Sequence, residues 1–407
     1  MTRHREERPV LPKASFFKLH GTKVLIGLAV LSLAAAAFIG SRTAKTDFDP
    51  LLKDVMPKAT AFTLLKSQPA NNEYLYTASD ASGQIGYVTS GQGQGYGGPL
   101  VVLVGWSKDG KIQNIQIASI KDTPSWFSRL YTSKYFDQYI GRSFADPFKL
   151  KTDINAISGA TRSSDGVSQG VRASRALLAE QLGKPVVEEK PQLSFGIPEI
   201  MLLLGIGLVV LFRMAPPLRR LAWPRPVMLA FGLVVFGLIL TIPLSLVNFE
   251  VFLIGFQPDW QTHMVLYMLT FGLVGLALAF AKNFWCFWIC PFAALQEGMH
   301  FVGNPKPRPI TRRQLFFRNT RFVVLWGVTM VVLVARSPAI SVFEPWNTIF
   351  SLKGDLSQWL LVAGALGVGI FIYNFWCHYL CPVGAVMDIA LKARMVAVNG
   401  VKRLAGR

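Results

Sequence analysis

The chain has 407 residues, of which 51% are hydrophobic and 16% charged, and its formal net charge is +19 at pH 7. A mean hydropathy of +0.37 is too high for a soluble protein of this length, and the apolar residues come in long blocks. The basic residues lie beside these blocks instead of along a continuous polar face, which argues against nucleic-acid binding. Together these features predict an α-helical polytopic membrane protein in a lipid bilayer.

Six nearly charge-free blocks are candidate membrane spans, since most approach the roughly 20 residues that cross a bilayer. They cover residues 24–39, 199–212, 227–247, 264–282, 322–335 and 359–375. Basic residues precede the first block and follow the second, the fourth and the sixth, and such clusters mark the cytoplasmic side. The pattern predicts about six spans in a bacterial inner membrane, with both termini cytoplasmic.

Residues 1–41 form the predicted cytoplasmic N-terminus and first span. The stretch LAAAAFIG offers small residues to a signal peptidase. The block is therefore either an uncleaved anchor, which its length favours, or a cleaved signal peptide. Both alternatives export residues 42–194. A five-helix membrane domain, 195–391, and a basic cytoplasmic tail, 392–407, complete the predicted division of the chain.

The exported segment has the pattern of one α+β domain. Residues 46–65 predict an amphipathic helical lead-in. Strand-like runs follow at 83–90 and 99–120, and the Asp-Gly pair at 109–110 marks a hairpin turn in the second run. Residues 166–182 have helical period. The apolar residues of this helix that share one face are Val167, Val171, Leu178 and Leu182.

Two stretches of this domain are candidates for ligand binding. The first, GQGQGYGGPL at 91–100, is rich in glycines, which either form a simple turn before a strand or let backbone N–H groups approach a ligand. The second, NAISGATRSSDGV at 155–167, places several hydroxyl side chains at the start of a helix. Such a helix start is either capped by Ser or Asp or open to an anion such as a phosphate.

SGAT, together with the upstream YGGPL, DGKI and DTP segments, resembles the FMN-binding domain shared by the small exported subunits of Rnf and Nqr complexes and by NosR/NirI-type membrane proteins. In that family an FAD:protein FMN transferase joins the phosphate of FMN to the Thr of SGAT through a phosphoester bond. The resemblance covers residues 80–182 and implies covalent FMN on Thr161, with Asn155 where the family usually has Asp. The other implied cofactor-binding residues are Gly97, Gly98, Thr123, Pro124, Ser158, Gly159 and Ala160.

All four cysteines lie in two copies of one pattern, NFWCFWICPFAALQE at 283–297 and NFWCHYLCPVGAVMD at 374–388, offset by 91 residues. Each copy follows an apolar block on the predicted cytoplasmic face. The i, i+4 spacing predicts that the cysteines of each copy share one side of a helix, which the following proline interrupts. The candidate metal ligands are Cys286, Cys290, Cys377 and Cys381.

Three kinds of site use such a set of thiols. An iron–sulfur cluster takes four cysteine thiolates, and we favour it over redox-active thiols and, last, over structural zinc. A stable disulfide is disfavoured because a cytoplasmic face keeps thiols reduced. Cysteine also occurs as a small apolar residue, but this does not account for a duplicated motif that holds every cysteine of the chain. The predicted cluster is of the 4Fe-4S type.

The duplicated CxxxCP motif resembles the membrane part of NosR/NirI-type and NapH-type proteins. With the FMN-binding domain ahead of it, the order of parts is similar to that of NosR/NirI proteins over nearly the whole chain. Longer members continue into a ferredoxin module, and this sequence ends at Arg407 without one. We therefore expect another protein, such as a cytoplasmic ferredoxin-type subunit, or a quinone to deliver the electrons.

The resemblance implies an electron-transfer protein without a substrate reaction of its own. Electrons would enter the cysteine site, pass to FMN and leave to an exported reductase, as in nitrous oxide respiration. The cysteine side and the flavin side are separated by a hydrocarbon core of roughly 30 Å, which predicts an intermediate carrier or an approach of the flavin to the helices. The alternatives are a membrane redox sensor or regulator and a maturation factor for an exported metalloenzyme.

Overall fold

The computed structural model describes residues 16–43, 48–69, 72–95, 98–121, 124–157, 160–184, 186, 193, 195–303, 317–352 and 354–404. Within them the chain consists of one long helix, an α+β domain (residues 48–184) and a helical half (residues 195–404). The predicted combination of a mostly helical chain and an α+β domain is therefore confirmed.

The α+β domain is a five-stranded antiparallel sheet with helices on both faces. Helix α1, Phe16–Thr43, precedes it. The strands lie in the sheet in chain order, and they are β1 Ala61–Gln68, β2 Glu73–Asp80, β3 Gly83–Gln94, β4 Pro99–Ser107 and β5 Ile112–Ile120. The helices are α2 Asp49–Val55, α3 Pro124–Thr132 and α4 Thr161–Gln181, with a short 3-10 helix at Tyr135–Tyr139.

The predicted hairpin at residues 109–110 joins β4 to β5. Trp106 pairs with Ile112 across the two strands. Gly110 has a φ of +76°, which glycine adopts without the strain that a side chain would cause. The Asp-Gly pair therefore predicts this turn correctly.

The predicted helical lead-in over residues 46–65 is wrong beyond Val55. Helix α2 ends there, and Pro57 follows its C-cap residue, Met56, where proline commonly prevents a helix from continuing. The residues from Ala61 onward instead pair with β2 as the edge strand of the sheet. Their local periodicity was outweighed by the hydrogen bonds that the neighbouring strand offers.

Helix α4 packs against the sheet through the side chains that its period predicts. Val167, Val171 and Leu178 are fully buried, and Leu182 packs at the margin of the same core. Ser174 lies between them and forms a buried hydrogen bond with the hydroxyl of Thr89 on β3. The face predicted from the sequence is thus the face that meets the sheet.

Glycines bring α4 unusually close to β3. A Cβ atom on Gly93 would lie 1.9 Å from the carbonyl oxygen of Gly166, and one on Gly91 would lie 2.1 Å from that of Gly170. No side chain fits in either gap, so these positions require glycine. This part of the Gly-rich stretch therefore serves helix–strand packing, which is the structural alternative left open by the sequence.

The helical half contains ten further helices in its described residues. They are α5 Ile197–Met214, α6 Pro224–Ile239, α7 Val247–Leu253, α8 Met264–Phe280, α9 Pro291–Gly303, α10 Thr320–Ala335, α11 Pro345–Ser351, α12 Leu356–Phe371, α13 Phe375–Tyr379 and α14 Pro382–Leu404. A 3-10 helix, Pro338–Phe343, joins α10 to α11. Part of α6, Gly232–Ile239, is wound as a π-helix.

Two of the described helices, α5 and α1 over Lys23–Arg42, are each long and apolar enough to cross a membrane. Helices α11 and α12 are bent by 105° relative to each other and form a further candidate, either a broken span or a re-entrant loop. Helices α6, α8 and α10 are apolar but shorter. All six predicted blocks fall on these helices, and a path of six spans stays a prediction.

The helical half is built from two copies of one arrangement. In each copy an apolar helix (α6 or α10) leads through a short helix (α7 or α11) to a second apolar helix (α8 or α12). A cysteine motif follows, and its proline begins the next helix (α9 or α14). The repeat seen in the cysteine motifs therefore extends over the elements around them.

The cysteine pairs do not lie on regular helix, and the prediction that each pair shares one helix side is wrong. Helix α8 ends at Ala281, which has a φ of +54°, and the segment after α12 turns at Asn374, with a φ of +48°. Left-handed residues of this kind end a helix. Each pair therefore lies in a turn between two helices, with Cys377 in the short α13.

We expect Gly93→Ala to destabilise the α+β domain by about 1–3 kcal/mol, the usual effect of forcing an extra methyl group into a packed core. Hydrogen–deuterium exchange on the purified full chain should then show faster exchange in β3 and α4. Thr63→Ala, on the exposed surface of β1, is the control and should leave exchange unchanged. Equal protection in the Gly93→Ala and unaltered chains would contradict the close packing of helix and strand.

Candidate functional site

Helix α4 starts with a residue that has no capping side chain. Its N-cap is Ala160, whose methyl group offers no acceptor to the free N–H groups of the first turn. The prediction of Ser or Asp as the N-cap is therefore wrong. Thr161 follows as the first residue of this helix of 21 residues. An uncapped N-terminus of this length suits an anion such as a phosphate.

Ser164 holds the turn before α4 in place. Its hydroxyl donates to the carbonyl oxygen of Ala160 (3.0 Å) and accepts from the backbone N–H of Ile157 (3.1 Å). Ser164 is fully buried, so these hydrogen bonds are not open to competition from water. The sequence had grouped Ser164 with the other hydroxyl side chains near Thr161, and the structure assigns it to positioning the turn.

Two buried tyrosines support the same turn from below. The Tyr135 hydroxyl donates to the carbonyl oxygen of Ser164 (2.8 Å), and the Tyr139 hydroxyl lies 2.7 Å from that of Ser168. Burial raises the pKa of Tyr139 and of Tyr135 above the ordinary value of a phenol. Both phenols therefore stay neutral and act as hydrogen-bond partners for the start of α4.

The remaining predicted flavin residues are described only in part. Pro124 begins α3 at the same end of the sheet as the start of β4. Gly98 closes a turn by accepting a hydrogen bond from Gly95 (2.9 Å) and packs against the backbone of Lys121. The side chains of Thr161 and Pro124 lie outside the described residues, and so do the residues Gly97, Thr123, Ser158 and Gly159.

Asn155 and Asp153 have different roles next to this turn. The backbone of Asn155 is held on both sides by the amide of Gln138, through bonds of 2.9 and 3.2 Å, and its side chain is exposed. Asp153 accepts hydrogen bonds from the N–H groups of Phe148 and Lys149 and pairs with Arg142 at 3.3 Å. Asp153 therefore stabilises a loop, while Asn155 stays accessible beside the SGAT turn.

In the helical half, the second cysteine of each motif caps the helix that follows it. The carbonyl oxygens of Cys290 and Cys381 accept the first hydrogen bonds of α9 and α14, from Ala294 (3.1 Å) and Ala385 (3.3 Å). A proline then occupies the first helical position in both, as is common at helix starts. Each of these thiols therefore lies at a helix N-terminus, where the helix dipole stabilises a thiolate.

Backbone N–H groups point at both capping thiols. The Cys381 sulfur accepts from Gly384 (3.3 Å), and that of Cys290 accepts from Phe292 and Ala293. The first cysteine of each motif is held through its own backbone N–H, which donates to Asn283 from Cys286 (3.0 Å) and to Gln296 from Cys377 (3.4 Å). The two motifs therefore hold their cysteines in closely similar ways.

The structure brings the two cysteine turns together. The thiols of Cys377 and Cys381 lie within electrostatic range of both cysteines of the first motif, and all four cysteines are free of disulfides. In the part of the chain that the structure describes, no three Cys, His, Asp or Glu side chains are grouped closely enough to hold a metal ion. The thiols are thus neighbours, and their role as ligands stays a prediction.

Buried N–H groups without a partner surround these turns. They include the Nε atom of Arg321 and the indole nitrogens of Trp285 and Trp376, each of the latter next to a first cysteine. Hydrogen bonds to sulfur and nearby positive charge tune an iron–sulfur cluster. Four thiols, an arginine and free N–H donors therefore fit the chemistry of such a cluster better than that of a neutral apolar core.

Each cysteine turn is also fixed by an ion pair that sequence reasoning missed. Arg225, in the first turn of α6, pairs with Glu297 on α9, and Arg321, in the first turn of α10, pairs with Asp388 on α14. Both acids stand seven residues after the second cysteine of their motif. An alignment of the two motif copies would have revealed this repeated acid.

The α+β domain contacts the helical half at its predicted flavin end. The Lys121 side chain donates to the carbonyl oxygen of Ala335 at the end of α10 (3.1 Å), where a cation complements the helix dipole. Gly98 lies against Pro338 at the start of the following 3-10 helix. The end of the sheet that carries Gly98 and Pro124 is therefore in contact with the segment that leads into α11.

Two family models match separate parts of the chain. The FMN-binding domain matches residues 95–175, which include the start of α4 and the turn at Gly98. The 4Fe-4S binding domain matches residues 262–309 and 359–397, which include all four cysteines. The chain therefore contains an FMN-binding domain and a 4Fe-4S binding domain, and the two predicted cofactors are confirmed.

Curated relatives share the same order of parts. The chain is 31% identical over 223 residues to Protein NirI of Paracoccus denitrificans, and 30% identical over 224 residues to Regulatory protein NosR of Pseudomonas aeruginosa. These matches cover 49% and 50% of this chain but only 32% and 31% of the relatives, so the chain spans about a third of their length.

A third relative matches the α+β domain. It is one subunit of the proton-translocating ferredoxin:NAD(+) oxidoreductase complex of Clostridium ljungdahlii, and it is 30% identical over 103 residues, which is 24% of this chain and 55% of the relative. The FMN-binding domain is therefore shared with electron-transfer complexes of another kind. With this domain followed by the duplicated 4Fe-4S segments and with two relatives of the same type, the chain is a NosR/NirI-type protein.

Proposed function

We propose that the protein carries electrons across a bacterial inner membrane. A ferredoxin-type subunit or a quinone would supply them to the cysteine site, and FMN on Thr161 would pass them to an exported reductase. FMN exchanges electrons singly or in pairs, and so connects one-electron and two-electron partners. The contact between the flavin end of the α+β domain and the segment that leads to the cysteine turns is the observation that carries this proposal.

The proposed topology has six spans, with the cysteine turns near the cytoplasmic face and the α+β domain in the periplasm. Helix α1 supports it, because it runs alongside α10, with Trp326 donating to the Ser32 hydroxyl (2.9 Å) and Gly40 packed against the Leu333 carbonyl. Both helices start next to basic residues and end near the α+β domain. This packing favours an uncleaved anchor over a signal peptide.

The proposed route between the cofactors is shorter than the hydrocarbon core of roughly 30 Å. After the contact at Pro338, the chain folds back towards the cysteine turns through the 3-10 helix and α11. The rings of Phe343 and Trp346 lie 6.4 and 6.5 Å from that of Trp376, and Trp376 directly precedes Cys377. This buried aromatic path supports electron transfer without a further bound carrier.

A regulatory function is the second candidate. The relative from Pseudomonas aeruginosa is named a regulatory protein, and a redox sensor would use the same two cofactors. A maturation factor for an exported metalloenzyme would use them too. Deletion of the gene, followed by measurement of transcripts and of metal content in the exported reductase, separates the three functions. Loss of transcripts favours the sensor, loss of metal favours maturation, and a normal but unreduced reductase favours electron transfer.

We expect Thr161→Ala to abolish covalent FMN, because the only side-chain oxygen that forms the phosphoester is removed. Denaturing-gel fluorescence and the intact mass of protein produced with a flavin transferase measure this. Thr132→Ala, on the exposed end of α3, should keep the fluorescent band. A fluorescent Thr161→Ala band with an FMN-sized added mass would overturn the assignment of Thr161.

We expect Cys290→Ser and Cys381→Ser to lose most of the bound iron, since each removes a thiolate at a helix N-terminus. Metal analysis and visible absorbance of anaerobically purified protein test this. The control is Phe287→Leu, an exposed position within the first motif. Zinc in place of iron would support a structural site, and metal-free protein with four alkylatable thiols would support redox-active cysteines.

We expect Lys121→Ala to slow electron transfer between the cysteine site and the flavin about tenfold to a hundredfold, the range seen when reacting groups are misplaced by about 1 Å. Stopped-flow reduction followed at the flavin absorbance measures the rate. Flavin and iron contents should stay as in the unaltered protein. Lys111→Ala, an exposed lysine next to the β4–β5 turn, is the matched control. An unchanged rate for Lys121→Ala would exclude this contact from the route.

A further inference from the structure

Two buried glutamates join the two copies of the helical repeat. Glu250 lies on α7 of the first copy and Glu344 precedes α11 of the second, and both are fully buried. The hydroxyl of Ser341, from the second copy, donates to Glu250. The hydroxyl of Ser245, from the first copy, donates to Glu344. Each copy thus supplies a carboxyl group and the serine that binds the carboxyl group of the other.

No cation neutralises these carboxyl groups among the described residues. The surrounding ionisable groups are Arg336 at the end of α10, Tyr267 on α8 and the thiols of Cys290 and Cys381, besides the two glutamates themselves. Arg336 donates to the carbonyl oxygen of Ile254. A charge buried without a partner is very costly, and two neighbouring negative charges cost more. The pair is therefore expected to hold protons.

The hydrogen bonds around the pair favour a proton over a metal ion. The backbone N–H of Leu246 also donates to Glu344 (3.0 Å), and the Thr329 hydroxyl donates to Glu250 (3.3 Å). These donors direct hydrogen atoms at the carboxyl oxygens, where they would repel a cation. The indole N–H of Trp346, a residue that is only 3% exposed, has no hydrogen-bond partner and lies beside Glu344. The site thus retains a free donor for a deprotonated carboxylate.

The pair lies between the cysteine turns and the α+β domain. Glu344 is within electrostatic range of Cys290 and Cys381. Ser341, which binds Glu250, is on the 3-10 helix whose first residue, Pro338, contacts Gly98. A change of charge at the cysteine turns therefore acts on the pair through a medium of low dielectric, in which such effects are large.

We propose that Glu250 and Glu344 form a proton-binding site coupled to the redox state of the cysteine site. The pair takes up one proton when one electron arrives from the ferredoxin-type or quinone donor, and it releases the proton when the electron leaves towards the flavin. Electron and proton then cancel in charge within the membrane. This inference rests on the proposed function only in that the cysteine site is redox-active.

The first test is the pH dependence of the cysteine-site midpoint potential, measured on the full flavin- and iron-loaded protein. One proton per electron predicts a fall of about 59 mV for each tenfold decrease in proton concentration. Glu250→Gln and Glu344→Gln should flatten this dependence. Glu199→Gln is the matched control, because Glu199 is a buried glutamate that binds the backbone N–H of Gly196 at the start of α5. It should keep the full slope.

A second measurement covers the case in which a glutamine variant fails to fold. Redox-difference infrared spectroscopy of the unaltered protein should show a carboxylic-acid band that changes on reduction and shifts in heavy water. A pH-independent potential, a full slope in both glutamine variants, or the absence of that band would overturn the inference. If no electron passes between the cysteine site and the flavin in the unaltered protein, the proposed function fails instead.

Discussion

Hydrogen bonds that cross between the two repeats hold the helical half together. Ser341 binds Glu250 and Ser245 binds Glu344, and near the cysteine turns Glu297 of the first copy accepts from Asn374 of the second (3.2 Å). These groups are buried or half-buried, where an unpaired polar group is costly. Each copy is therefore incomplete without the other, and the two cysteine turns meet because their copies are bound in this way.

The same principle positions the cysteines themselves. A short turn that ends in Cys-Pro gives the thiol the N-terminus of the following helix, and an arginine from the preceding apolar helix pairs with an acid on that helix. Positive charge and N–H donors are thereby directed at a thiol-rich site within an apolar surrounding. An apolar core alone would raise the cost of any thiolate, and this arrangement offsets that cost.

The α+β domain depends on close packing at one end and on a single contact at the other. Glycines let α4 lie on β3, so that its first turn, with Thr161, reaches the end of the sheet that carries Gly98. Lys121 then joins that end to α10. A hydrogen bond to a helix C-terminus fixes the domain's approach with little buried area. The proposed flavin site is thereby directed at the segment leading to the cysteine turns.

The sequence by itself determined the features that depend on local spacing: the apolar blocks, the Asp109–Gly110 hairpin, the buried face of α4 and the duplicated cysteine motif. Each follows from residues a few positions apart, whose period or turn chemistry is the same in any context. Only the tertiary structure decided the strand at Ala61, the capping positions of Cys290 and Cys381, and the pairing of Ser245 with Glu344. These depend on partners far along the chain, and a buried polar group takes whichever partner the packing brings to it.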